Sequence, residues 1–153
     1  MTFFEAFERT VLIDAPVTTV WEYLTTPSLM RSWMGEASMQ LEVQTSWEIG
    51  QPITITGVHH LPFENKGMVT QFQPPQILQY THLSSLSRLA DKRENYSTIS
   101  FYLSPQEQQS LLLVRVDQFP TETIYRHLLF YWQGTLGVLK RHIEKPNETK
   151  IMT

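Results

Sequence analysis

Residues 121–145 decide the fold, and they read T-E-T-I-Y-R-H-L-L-F-Y-W-Q-G-T-L-G-V-L-K-R-H-I-E-K. Apolar residues recur in this stretch at steps of three and four positions, the pattern of an amphipathic helix with one apolar stripe. The predicted stripe consists of Ile124, Leu128, Trp132, Leu136 (or Thr135), Leu139 and Ile143. A helix of about 23 residues spans on the order of 35 Å. We therefore expect the strands upstream to cover it.

Two glycines interrupt this helix near its centre, at Gly134 and Gly137. Each costs about 1 kcal/mol relative to alanine inside a helix, so each calls for an explanation. One interpretation is close packing of the helix against the sheet. The other is that the missing side chains leave room for a ligand.

The composition is that of one globular domain without cysteine chemistry. The chain has 153 residues, a formal net charge of −3 and no cysteine. The charge argues against nucleic acid or an anionic membrane as the main partner. The lack of cysteine excludes disulfides, thiolate nucleophiles and cysteine zinc sites, and it fits a cytoplasmic location. The first residues lack the basic region of a signal peptide. We expect a single domain over residues 1–145 and a loose tail over residues 146–153.

The sequence before the long helix predicts one strand, two short helices and then a run of strands. Alternating residues predict the first strand over residues 6–14. Pro16 and Pro27 suit the first turns of the two helices, and Thr26 can cap the second. Further strands are predicted over residues 39–43, 52–60, 68–73, 77–83, 96–103 and 111–117, with turns at residues 65–67 and 104–107. Short connections make the sheet antiparallel, and the class is α+β.

Several short motifs, taken in order, resemble one protein superfamily over nearly the whole chain. They are Asp14-Ala15-Pro16 with Val20-Trp21, Thr26-Pro27 with Trp33, Gly67-x-Val69, Pro74-Pro75-x-Ile77-Leu78-x-Tyr80-Thr81, and the helix from Trp132 to Leu139-Lys140. This order resembles the START and birch-pollen-allergen (SRPBCC) superfamily, in the branch named after activators of the heat-shock-protein-90 ATPase. The resemblance implies a helix-grip fold, in which a curved antiparallel sheet of about seven strands wraps around a long C-terminal helix.

The resemblance also implies a hydrophobic cavity between the sheet and the long helix. Strand residues that would face the helix are Val69, Leu78, Tyr80, His82, Ile99, Phe101, Leu112, Val114 and Val116, with Trp33 near the mouth and Leu128 and Trp132 as the roof. The predicted ligand-binding set is Trp33, Val69, Leu78, Tyr80, His82, Ile99, Phe101, Val114, Leu128 and Trp132. A register error of one residue would exchange the two faces of the sheet.

No metal, cofactor or catalytic motif stands out in the sequence. His59 and His60 are neighbours on a predicted strand and should point to opposite faces. His127 and His142 lie about 22 Å apart along the predicted helix. There is no H-E-x-x-H, no G-x-S-x-G and no phosphate-binding glycine loop. We therefore expect no metal site, no cofactor and no catalytic residue.

Three functions remain open from the sequence. The first is a binding module that holds a small apolar molecule without catalysis. The second is an enzyme of the cyclase or hydratase kind, with His82 and Tyr80 as acid and base. The third is an interaction protein that stimulates a chaperone ATPase. The run Leu128–Trp132 is apolar almost all round, so its outer side contacts either the first helices or the second copy of a homodimer.

Overall fold

The structure, a computed structural model, describes the backbone of residues 5–152 and the side chains of residues 5–145. In this part of the chain there are seven strands and three α-helices. They are β1 (Phe7–Ile13), α1 (Val17–Thr25), α2 (Pro27–Met34), β2 (Glu42–Thr45), β3 (Pro52–His59), β4 (Leu61–Gln73), β5 (Ile77–Ser84), β6 (Ser97–Gln106), β7 (Gln109–Asp117) and α3 (Glu122–Met152). Every neighbouring pair of strands is antiparallel, in the order β1-β7-β6-β5-β4-β3-β2. The predicted α+β helix-grip fold is confirmed.

The predicted inner face of the sheet is also confirmed. Ile99 of β6 pairs with Val116 of β7, and Phe101 pairs with Val114. Because directly paired residues point to the same face, these side chains form one apolar layer. The buried residues of this layer are Val69, Leu78, Tyr80, Ile99, Phe101, Leu112, Val114 and Val116.

Helix α3 lies across this layer and buries the predicted stripe. Leu128, Trp132, Leu136, Leu139 and Ile143 are all buried, and so is Thr135. The backbone stays helical to Met152, beyond the predicted end at residue 145. Whether residues 146–153 form a loose tail stays a prediction, because their side chains lie outside the described residues.

The predicted turn at residues 65–67 is wrong, because β4 runs through it. The turn instead lies at His60, whose φ of 66° is left-handed, so that His59 pairs directly with Leu61. The two rings lie with their centroids 4.9 Å apart, which corrects the expectation that they point to opposite faces. Gly67 is the misleading signal. It sits in mid-strand because β5 approaches it closely, and the ideal position of a Cβ there coincides with the carbonyl of Thr81.

The two short helices close one side of the domain. Trp33 of α2 donates its indole N–H to the carbonyl of Tyr23 in α1 at 2.9 Å. Tyr131 of α3 donates its hydroxyl to the carbonyl of Met34 at 2.6 Å. Thr26 makes no side-chain cap, contrary to expectation, although its carbonyl accepts from the first turn of α2. These bonds fix α2 beside the middle of α3.

Candidate functional site

A large cavity lies between the sheet and α3. Its volume is about 1190 Å³, comparable with the upper end of ordinary ligand pockets, roughly 300–1,000 Å³. The sheet contributes Ile55, Tyr80 and Ile99, and α3 contributes Leu128, Trp132 and Val138. Residues of α2 and the turn after it, among them Trp33 and Met39, close the side. Exposed Phe130 and Leu86 stand at the mouth.

Six of the ten predicted ligand-binding residues lie on the cavity wall. They are Trp33, Tyr80, His82, Ile99, Leu128 and Trp132. The structure places the other four, Val69, Leu78, Phe101 and Val114, in the packed core and outside the cavity lining.

The boundary between packed core and cavity wall lies along β5. At Leu78 the space between sheet and helix is filled, and at Tyr80 and His82 it is hollow. Aromatic rings fill the closed end, where Trp47 stacks on Phe72 with centroids 5.5 Å apart. Trp132 covers Phe101 edge-on at 5.5 Å. A face assignment alone therefore could not separate core from cavity.

Other lining residues were missed from the sequence. They include Met39, Leu41, Ile55, Phe63, Asn65, His127, Tyr131, Val138 and His142. Phe63 and Asn65 belong to the first half of β4, where no strand was predicted and a turn was expected at residues 65–67. Met39 and Leu41 flank an irregular segment. The periodicity of α3 was the one usable signal, because His127, Thr135 and Val138 lie beside its buried stripe.

The two helix glycines are not explained by close packing against the sheet. Gly134 lies on the cavity wall, and a Cβ built there meets nothing within 4 Å. A Cβ at Gly137 would contact only the Arg141 guanidinium, at an ordinary 3.5 Å. Gly134 is exposed, so the open space beside it is in contact with solvent, and the ligand interpretation of this glycine stays a prediction.

Three ionisable side chains on the wall are held in their neutral forms. Burial raises the pKa of the Tyr80 hydroxyl above its usual range, and the neighbouring Tyr131 adds to this effect. Burial likewise raises the pKa of Tyr131. Burial, reinforced by the charge of His127, lowers the pKa of His82 to about 4. At neutral pH all three therefore act as uncharged hydrogen-bonding groups.

Two buried polar atoms on the wall have no hydrogen-bond partner among the described residues. They are the indole Nε1 of Trp132 and the amide Oδ1 of Asn65. An unpaired buried donor or acceptor costs roughly 1–3 kcal/mol, so such atoms are uncommon in folded proteins. Both residues belong to the cavity lining, where a bound molecule could supply partners after a small shift.

The described residues offer neither a metal cluster nor a membrane span. No group of three or more His, Cys, Asp or Glu side chains among them is placed to hold a metal ion. No helix of residues 5–152 is long and apolar enough to cross a membrane.

This curved seven-stranded sheet, gripping a long C-terminal helix around a cavity, defines a START-like (SRPBCC) domain. The family model for Activator of Hsp90 ATPase homolog 1-like protein matches residues 14–144. The chain therefore belongs to that family, as its short motifs predicted.

Solved structures show the same fold. ChR145 from Cytophaga hutchinsonii is 28% identical in sequence and superposes with a TM-score of 0.79. The match covers 97% of this chain and 99% of ChR145. The Aha1 dimer from Colwellia psychrerythraea is 18% identical, with coverages of 92% and 97% and a TM-score of 0.72. CalU16 from Micromonospora echinospora is 19% identical, with coverages of 95% and 80% and a TM-score of 0.70. No protein of curated function matches the sequence.

Proposed function

We propose that this protein binds a small hydrophobic molecule in the cavity between its sheet and α3, without catalysing a reaction. The observation that carries the proposal is the cavity of about 1190 Å³. Small-molecule sites are typically concave clefts with mostly apolar walls. This space opens to solvent on one side and has the buried Trp33, Tyr80 and Trp132 on its wall, which supports a ligand.

The wall suits an apolar molecule with rings. Trp33 and Trp132 lie with centroids 6.3 Å apart, and Trp132 meets Tyr131 edge-on at 5.1 Å. Aromatic side chains offer flat apolar area and accept ring edges or faces. A ligand that buries such a surface gains about 25 cal/mol for each Å² removed from water.

The protonation states of the ionisable residues on the cavity wall favour binding over catalysis. General acid–base catalysis is most effective when the pKa of the group lies near the working pH. The pKa of His82 is lowered to about 4, and that of Tyr80 is raised. Neither is matched to proton transfer at neutral pH, so a cyclase or hydratase role for this pair is not proposed.

Native mass spectrometry of gently purified protein, followed by solvent extraction, tests the binding proposal. We expect a stoichiometric apolar adduct on the wild-type protein. Val138→Trp should reduce its occupancy by about tenfold or more, because a larger side chain on the cavity wall takes up ligand volume. The measurement is the ratio of bound to free mass at equal protein concentration.

Gly137→Leu is the matched control, because it removes the neighbouring helix glycine without lining the cavity. It should retain the adduct. A protein that carries no adduct and takes up no apolar probe in either form would overturn the proposal.

We also propose a homodimer formed through the outer face of α3 around Phe130. Phe130 is 80% exposed, more than any other large apolar side chain between residues 5 and 145. Tyr131 beside it is held by α2, so the first helices cover only part of the apolar run. The similar Aha1 from Colwellia psychrerythraea is a dimer.

Sedimentation velocity tests this proposal. The wild type should show a dimer that dissociates on dilution, and Phe130→Ser should shift the equilibrium towards monomer by about tenfold or more, because the central apolar anchor is lost. Leu12→Ser changes an exposed apolar residue of β1 and should leave the equilibrium unchanged. A wild-type protein that stays monomeric at high concentration would contradict the dimer.

A further inference from the structure

Histidines are concentrated on the cavity wall. Four of the five in the chain, His59, His82, His127 and His142, line it. The lining contains no lysine or arginine, and its one carboxylate, Glu36, is exposed. The groups on this wall that can become positive are therefore imidazoles, and they outnumber the carboxylates.

Two of these histidines come together at one end of the cavity. His82 lies on β5 and His127 on the first half of α3, and His127 is close enough to contribute to lowering the pKa of His82. The same two residues border a second, small void of about 20 Å³ that also touches Ser84, Ser87 and Asn95. Neither imidazole has a hydrogen bond within the described part of the chain. Ser84, Ser87 and Asn95 are hydrogen-bonded to nearby backbone, so the two imidazoles supply the unused hydrogen-bonding capacity at this largely apolar end.

Another part of the wall is apolar. It consists of Trp33, Ile55, Trp132, Met39 and Leu41, from α2, β3, α3 and the segment between α2 and β2. A molecule that fills the cavity would thus meet both apolar side chains and the paired imidazoles of His82 and His127.

We propose that the ligand is an amphiphile with one acidic group, of the carboxylic acid class, whose carboxylate lies between His82 and His127 while its apolar part contacts Trp33 and Trp132. This proposal rests on the binding function proposed above and adds the chemical class of the ligand.

The physical reason is charge balance inside a poorly solvated space. Burial and the neighbouring His127 oppose a charge on His82, whose pKa is about 4. A carboxylate between the two rings removes the repulsion and favours the protonated form. Binding of the acid therefore takes up a proton, and affinity rises as the pH falls towards the pKa of the free protein.

Other ionisable groups face the same space, and none can replace this pair. Tyr80 on β5 and Tyr131 on α3 are neutral because burial raises the pKa of each. His59 is at the tip of the β3–β4 hairpin, and His142 lies about 22 Å along α3 from His127. Glu36 follows α2 and would repel an acid. The acid group is therefore assigned to the His82–His127 end.

Isothermal titration calorimetry with decanoic acid and decanol separates the contribution of the carboxylate to affinity from that of the alkyl chain. At about pH 6 the acid should bind at least about tenfold more tightly than the alcohol, and this advantage should shrink towards about pH 8, where imidazole protonation is suppressed. His82→Gln and His127→Gln should each reduce affinity for the acid by about tenfold and flatten its pH dependence. The reduction should be larger for the acid than for the alcohol in both variants. His127 is exposed, so its substitution puts folding at little risk.

His60→Asn is the control, since His60 is the one histidine outside the lining and asparagine tolerates its left-handed backbone. It should bind both probes as the wild type does. Equal affinity for acid and alcohol at both pH values would overturn the acid-group assignment and leave the binding function standing. If neither probe binds, the binding function fails together with it.

Discussion

Gly67→Ala should destabilise the protein by at least about 3 kcal/mol, because it forces a methyl group into occupied space. Gly67 lies within β4, paired with Ile53 of β3 on one side. On its other side, an ideal Cβ would coincide with the carbonyl of Thr81 in β5. The clash is with backbone, so no side-chain rotation relieves it. The two central strands must separate or the substituted residue must distort.

The local hydrogen bonding shows that β4 and β5 are in close contact at Gly67. The β4–β5 ladder is interrupted around Gly67, and the register shifts just beyond, between Val69 and Gln71. Met68 donates its backbone N–H to the side-chain Oγ1 of Thr81 at 2.9 Å. A glycine inside a strand commonly marks such a close backbone approach. Moving β5 away would also break this bond.

Urea unfolding followed by circular dichroism measures the loss. Gly134→Ala is the informative comparison, because the same methyl group there meets open space on a helix and should stabilise the protein by about 0.5–1 kcal/mol. Opposite signs for the two glycines are the expected result. A Gly67→Ala protein as stable as the wild type would show that the strands are not this close.

The second large effect is a pH dependence of stability that comes from His82. Its pKa is about 4 in the folded protein and 6.5 ordinarily, with burial as the main cause. Between these values the unfolded chain binds a proton that the folded protein does not. Stability is therefore complete above about pH 6.5 and is lost as the pH falls towards about 4, by at most about 3 kcal/mol.

The measurement compares the free energy of unfolding of the wild type and His82→Gln at several pH values. Glutamine keeps hydrogen-bonding capacity but does not titrate. The difference between the two proteins should change in favour of the variant by up to about 3 kcal/mol on acidification. His60→Asn, on the exposed hairpin tip, should follow the wild-type curve. Parallel curves for wild type and His82→Gln would contradict a buried neutral imidazole.

Much of the architecture was readable from local pattern. The apolar stripe of α3 and the alternation in β5, β6 and β7 identified the buried faces correctly, because side-chain direction repeats every 3.6 residues in a helix and every two in a strand. The turns were predicted less reliably. At residues 65–67 an Asn-Lys-Gly signal predicted a reversal, while the real one uses His60 in a left-handed conformation. A glycine permits a tight turn, but it also permits close approach of a neighbouring strand. The sequence alone does not tell which of the two applies at Gly67.

The cavity was predictable only in outline. Tyr80 and Leu78 share one face of β5, yet Tyr80 lines the cavity and Leu78 lies in filled core. Phe72 is paired with Leu78 and stacks on Trp47, and these contacts join residues from separate parts of the sequence. His127 is far from His82 in the sequence, and the two border the same void only because α3 crosses the sheet.

The sequence by itself determined the class of fold, the inner face of the sheet and the buried stripe of α3, since each depends on periodicity along a single element. Only the tertiary structure decided where the space between these faces is filled and where it is hollow. It also decided that four histidines line this space and that two of them, His82 and His127, border the same small void. Those properties depend on the volumes of side chains from different elements and on the angle at which α3 crosses the sheet, and neither is encoded in any one segment.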